Sequence, residues 1–131
     1  MARMILLAGT ISGFLSIILK SMSAHAFNEI LTAELLTTLK TAIDFQLIHS
    51  LVLILIALLI MQKPNIKTFS LAGWAIFVGM LSFSGSLYIK VFADIGSFGL
   101  ITPTGGLVIL FGWACLIVGA WNLNHGISYD R

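Results

Sequence analysis

Two histidines, a glutamine and an aspartate are the side chains of this chain with the widest choice of chemistry. His49 follows Gln46 by one helical turn and lies just past Asp44, while His25 sits nearer the N-terminus. A neutral imidazole can ligate zinc, copper or haem iron, and each ring nitrogen can hold one hydrogen bond. His25 and His49 could therefore supply two nitrogens to a metal ion or two axial ligands to a haem. His49 with Gln46 on one helix face could hydrogen-bond a quinone carbonyl, and His49 with Asp44 could relay a proton. Two histidines alone make an incomplete metal site, and the plain alternative is a structural histidine tying a loop to its helices. His125 lies in a short polar tail and is read as solvated. Gly105-Gly106 after Thr102-Pro103-Thr104 reads as the start of a helix, where an anion could bind weakly. No CxxC, HExxH, GxSxG, Walker-type loop or dinucleotide fingerprint is present, so no enzyme and no cofactor are expected from motifs.

The elements that must position these groups are set by the charge pattern. Almost every charged residue lies at the edge of one of four apolar runs, about 4–20, 45–62, 68–92 and 105–122. Crossing a hydrocarbon core takes about 20 mostly apolar residues. The chain is 59% hydrophobic, 9% charged and has a mean hydropathy of +1.07, against about 25% charged residues in a soluble domain. The expectation is an all-α integral membrane protein: one domain of four transmembrane helices in a compact bundle, with no room for an extramembrane enzyme module. Seven scattered Lys and Arg give a net charge of +2 and form no patch, which argues against nucleic acid. The single Cys115 rules out an internal disulfide and reads as a small hydrophobe facing helix or lipid.

Arg3, the apolar stretch 4–19 and Ala24-His25-Ala26 together resemble a cleavable signal. Gly9 and Gly13, with Ser12 and Ser16 a turn apart, instead give this segment a helix-packing face, so it is expected to stay as the first span. Four spans place both termini on one side. Arg3, Lys63, Lys67 and Arg131 then face Lys20, Lys40 and Lys90, and the short basic turn at 62–67 points to cytoplasmic termini. Between the first two spans, Leu31, Leu35, Leu36 and Leu39 recur at helical spacing. They predict a short amphipathic helix on the outer interface, with Asn28 as a candidate cap. In the third run Ala75, Gly79, Ser82, Ser86 and Lys90 form one stripe, either a close helix contact or a polar crevice. In the fourth, Gly105, Gly112 and Gly119 recur every seven residues. Trp121 suits the inner interface, while Trp113 lies deeper.

Ala24-His25, Asp44-Phe45-Gln46-Leu47-Ile48-His49, Phe83-Ser84-Gly85-Ser86-Leu87-Tyr88 and Thr102-Pro103-Thr104-Gly105-Gly106 with Gly112-Trp113 occur in this order. In order and approximate spacing the chain resembles the YgdD/YwdK-like family of small bacterial membrane proteins, domain of unknown function 423. The resemblance covers nearly the whole chain. It implies four spans with an uncleaved first helix, and it lends weight to His25, Gln46 and His49. It also departs from the family, whose Gly-Ala-x-Gly-Ala-His stretch reads Lys20-Ser21-Met22-Ser23-Ala24-His25 here, without either glycine. It implies no particular activity. The candidate ligand-binding set is thus His25, Asp44, Gln46, His49, Ser84, Ser86, Tyr88, Lys90 and Thr102. The candidate packing set is Gly9, Gly13, Gly79, Ser82, Gly105, Gly112 and Gly119.

Three roles follow from these sets. The first is a non-enzymatic interaction or accessory protein whose Gly/Ser faces pack on a second copy, a larger membrane complex or lipid. The second is a metal, haem or quinone site at the outer face around His25 and His49. The third is an oligomeric small-solute transporter or channel along Ser82, Ser86 and Lys90.

Overall fold

The computed structural model describes residues 1–93 and 100–123, so His125, Asp94 and Arg131 lie outside the described residues. Those residues form five helices: α1 (Ala2–Ala24), α2 (Ala26–Ile30), α3 (Ala33–Gln62), α4 (Lys67–Ala93) and α5 (Ile101–Leu123). All but α2 are long and apolar enough to cross a membrane. Their outward faces carry exposed Phe14, Leu55, Leu110 and Ile117. In water such faces would drive aggregation; in hydrocarbon they are ordinary solvent contact.

Lys20 Nζ meets Asp44 Oδ1 at 2.7 Å, which sets the level at which α1 and α3 leave the apolar layer on one side. The charged turn after Gln62 marks the other. The 19 residues from Asp44 to Lys63 rise about 28 Å at about 1.5 Å each, close to the ~30 Å hydrocarbon core.

The four spans follow one another as a bent row. α1 packs along α3, α3 along α4 and α4 along α5; α1 meets α4 only lightly, near Ile5 and Gly73. The α4–α5 seam explains the sevenfold glycine spacing. A Cβ on Gly105 would sit 2.6 Å from the Phe83 backbone nitrogen, and one on Gly112 would sit 2.5 Å from Ile76 Cγ1. Gly119 faces Phe69, and Gly79 faces Gly105 and Ile109 from the α4 side. A repeat of seven keeps one seam in register along two antiparallel helices. On α1, Gly9 lies under the Ser50 carbonyl and Gly13 against the Ser50 hydroxyl. These six glycines are therefore used within the chain. The surplus glycine face expected for a second copy is not left over, because the row gives each seam its own internal partner.

The two halves of the row are held differently. Towards the charged turn the core is apolar, built around Ile5, Leu53, Ile56, Phe69, Ile76 and Cys115. The half at the level of Lys20 and Asp44 is stapled by side-chain hydrogen bonds between helices. Lipid tails are as apolar as leucine, so burial alone does not bring helices together, and close packing and interhelical hydrogen bonds do.

The segment between the first two spans differs from expectation. A short helix does lie there, but it is α2 (Ala26–Ile30). The leucine stripe belongs instead to the first turns of α3, a 30-residue helix of about 45 Å. Asp44 and Lys40 interrupt the hydropathy but not the helix, since Ala33, Glu34, Leu35 and Leu36 are good helix formers. Thr32, not Asn28, caps it: its hydroxyl accepts the Leu35 N–H at 3.3 Å, and Glu34 suits the N-terminal dipole. Leu39 is fully buried with Ile43 and Val91, and Leu31 and Phe27 pack on them, so the stripe faces protein and not the interface. Similarly, α5 begins at Ile101. Pro103 lies in its first turn, where no N–H donor is needed. Gly105 and Gly106 are consequently inside the helix, which removes the expected anion-binding start.

Candidate functional site

These interhelical staples account for most of the polar residues singled out in the sequence. Gln46 Nε2 donates to the Ser12 carbonyl of α1 at 3.0 Å, and the Tyr88 hydroxyl of α4 donates to Gln46 Oε1 at 2.6 Å. One glutamine thus ties three helices. The Ser84 hydroxyl donates to the Ala42 carbonyl at 3.0 Å, fixing α4 to α3. The Ser86 hydroxyl donates to the Phe83 carbonyl at 2.8 Å and shares a 2.7 Å bond with Thr102, joining α4 to α5. Lys90 approaches Glu34 at 3.5 Å, with both largely exposed. The Phe-Ser-Gly-Ser-Leu-Tyr element is therefore the hub of this half, Ser84 and Tyr88 reaching α3 and Ser86 reaching α5. Of the stripe read as a close helix contact or a polar crevice, two members line the α5 seam. Gly79 and Ser86 meet α5, while the half-buried Ser82 folds its hydroxyl back to the Val78 carbonyl at 2.9 Å and crosses to no neighbour.

This arrangement separates residues that the sequence grouped. Gln46 and His49 are a turn apart, yet they point to different neighbours. Gln46 faces α1 and α4, and its amide is committed to both. His49 turns towards α5. His25 is exposed at the junction of α1 and α2. It lies five residues beyond Lys20, while His49 lies five residues below Asp44. Since Lys20 and Asp44 are level, the histidines are about 15 Å apart along the helix axes. The two histidines, expected to share one site at the outer face, therefore stand at different levels and are not brought together. Among the described residues no three His, Cys, Asp or Glu side chains gather at a metal-binding spacing. Asp44 is occupied by Lys20 and does not reach His49.

What remains is a groove that the sequence did not reveal. It opens laterally between α3 and α5, over α4, with a volume of about 460 Å³. Phe45, Phe83, Trp113, Leu107, Leu110 and Pro103 line it, and exposed Leu107 and Leu110 form its outer rim. From Pro103 to Trp113 it follows ten residues of α5, about 15 Å. Pockets for small molecules run from about 300 to 1,000 Å³ and are mostly apolar with few polar groups. Here the polar groups are His49 and the Trp113 indole. Phe45 stacks on Phe83 with centroids 4.3 Å apart and lies over the His49 ring at 5.6 Å. His49 is 6% exposed. Its Nδ1 lies 2.7 Å from the Phe45 carbonyl of its own helix, and its Nε2 lies 3.5 Å from Trp113 Nε1. The sequence held half the signal, in Phe45 and His49 one turn apart and in Phe83. The other half, Trp113, was visible only as a depth marker.

The family model described as "Protein of unknown function (DUF423)" matches residues 19–106. The chain is similar to a UPF0382 membrane protein of Haemophilus influenzae, at 33% identity over 85% of this chain and 88% of that one. It is 30% identical to the UPF0382 membrane protein YwdK of Bacillus subtilis, covering 90% and 96% of the two chains. It is 29% identical to the UPF0382 inner membrane protein YgdD of Escherichia coli K12, covering 98% of both. No solved structure matches it significantly.

Proposed function

Because this chain belongs to the DUF423 family of small membrane proteins of unknown activity, we propose that its role is a non-enzymatic binding one: it takes a lipid-soluble molecule from the bilayer into the lateral groove between α3 and α5. The observation that carries this reading is the buried His49 paired with Trp113 inside an otherwise apolar, aromatic-lined groove. An ionisable side chain within a span is costly to keep in lipid unless it has a partner or a use. Phe45 and Phe83 offer a flat aromatic wall to a ring-bearing molecule. A second protein chain is less well supported, because six of the seven candidate packing residues, all glycines, are consumed inside the chain.

The proposed setting is a bacterial inner (plasma) membrane with both termini cytoplasmic. The basic turn with Lys63 and Lys67, together with Arg3, supports that orientation. Native mass spectrometry of the protein released in its own lipid patch tests the binding role. A discrete small-molecule adduct is expected on the wild type, reduced at least tenfold in a Trp113→Ala chain. Equal adduct on both, or a bare protein alone, refutes it. Orientation is tested with a Cys115→Ala chain carrying a new cysteine at Asn65. Labelling by a membrane-impermeant thiol reagent from the periplasmic side of intact cells reverses the assignment.

A further inference from the structure

The hydrogen bonds around His49 specify the polarity of what the groove holds, and this inference rests on the binding role proposed above. The Phe45 carbonyl, 2.7 Å from Nδ1, can only accept. Nδ1 must therefore carry the proton, and neutral His49 presents a lone pair at Nε2. The group facing Nε2 is the Trp113 indole N–H, which can only donate. At 3.5 Å this contact is at the far end of hydrogen-bond length, so neither atom is well satisfied by the other. The groove thus displays one acceptor and one donor side by side, next to the stacked rings of Phe45 and Phe83.

We infer that the groove selects an aromatic alcohol: a lipid-soluble phenol or hydroquinone whose ring hydroxyl donates to His49 Nε2 and accepts from Trp113 Nε1. A single hydroxyl is the smallest group that satisfies both atoms. Its ring lies against Phe45 and Phe83, and any apolar tail leaves between Leu107 and Leu110 into the bilayer. An oxidised quinone carries only carbonyl acceptors. It bonds Trp113 and leaves Nε2 facing a lone pair, so the reduced hydroquinone binds more tightly than its quinone. This reverses the arrangement expected from sequence, in which His49 and Gln46 were to donate to a quinone carbonyl. Gln46 is engaged elsewhere and His49 is the acceptor.

The test compares 2-naphthol with its methyl ether, which keeps the ring and loses the donor. The full-length protein, labelled with ¹⁵N-histidine, is held in lipid nanodiscs, and the His49 signals are assigned with a His49→Gln chain. Before addition, His49 is expected to show a protonated Nδ1 and a pyridine-type Nε2. Naphthol should move the Nε2 signal, with the ether about five- to tenfold weaker in competition, the size of one hydrogen bond in an apolar site. If naphthol and ether bind equally and move Nε2 equally, the polarity inference fails while the groove stands. If neither ligand perturbs His49, the groove reading fails with it. A resting Nδ1 lone pair also overturns the inference.

Discussion

Gln46 offers the sharpest test of how the hydrogen-bonded half of the row is held. Replacing it with leucine removes its donation to Ser12 and the acceptor of the Tyr88 hydroxyl. The Ser12 carbonyl is not stranded, because the Ser16 hydroxyl still donates to it at 2.8 Å. The Tyr88 hydroxyl has no other partner among the described residues. Interhelical hydrogen bonds in membranes average about 0.6 kcal/mol each, and stranding a partly buried hydroxyl adds about 1 kcal/mol. Gln46→Leu should therefore destabilise by about 2 kcal/mol. Tyr88→Phe loses one bond and strands Gln46 Oε1, for about 1.5 kcal/mol. The double variant loses both bonds but strands neither group, so it should cost only about 1 kcal/mol and fall short of the sum by about 2.5 kcal/mol. The assay is unfolding by rising SDS fraction in mixed micelles, followed by circular dichroism. Additivity within about 0.3 kcal/mol would mean that Gln46 and Tyr88 do not act as a pair, and the three-helix staple would be refuted.

The glycines give a matched comparison in the same assay. Gly105→Ala drives a Cβ to 2.6 Å from backbone and should cost about 2 kcal/mol or more, whereas Gly85, with nothing within 4 Å of its Cβ position, should accept alanine at no loss. Thr32→Ala should destabilise the start of α3 by about 1 kcal/mol and speed amide exchange at residues 33–36, leaving exchange at residues 50–60 unchanged. The Lys20–Asp44 pair is about half exposed, so Lys20→Gln should shift stability by less than about 1 kcal/mol, less still at high salt. His25→Ala should leave naphthol binding unchanged, since His25 lies on the surface beyond the groove; loss of binding there would contradict the separation of the two histidines.

The membrane architecture was legible because charge placement and helix length are imposed by the bilayer itself. Gly105, Gly112 and Gly119 announced a seam by their spacing, though their partner α4 was not readable. The extent of α3 was misjudged because Asp44 and Lys40 end an apolar run without ending a helix, and hydropathy reports solvent while the backbone answers to propensity and capping. The site was legible only in parts. Gln46 and His49 share a helix, but whether a side chain meets α1 or α5 depends on the rotation of α3 within the row. His49 and Trp113 are 64 positions apart, and nothing in one sequence links them. The assignment of Nδ1 as donor needed the actual 2.7 Å approach to Phe45.

The bent row also bears on how the chain is made. α1 and α5 form no substantial contact, so no interaction between the first and last spans has to be closed. Each span after α1 docks on the one just before it among α3, α4 and α5, which keeps the contacts short in sequence and the search brief. The helices can therefore settle in order of synthesis, with α5 as the last piece, its glycine face laid against Phe69, Ile76 and Phe83 of α4. The groove between α3 and α5 does not exist until that final step, so on the proposed role a chain still being inserted is already packed yet unable to bind.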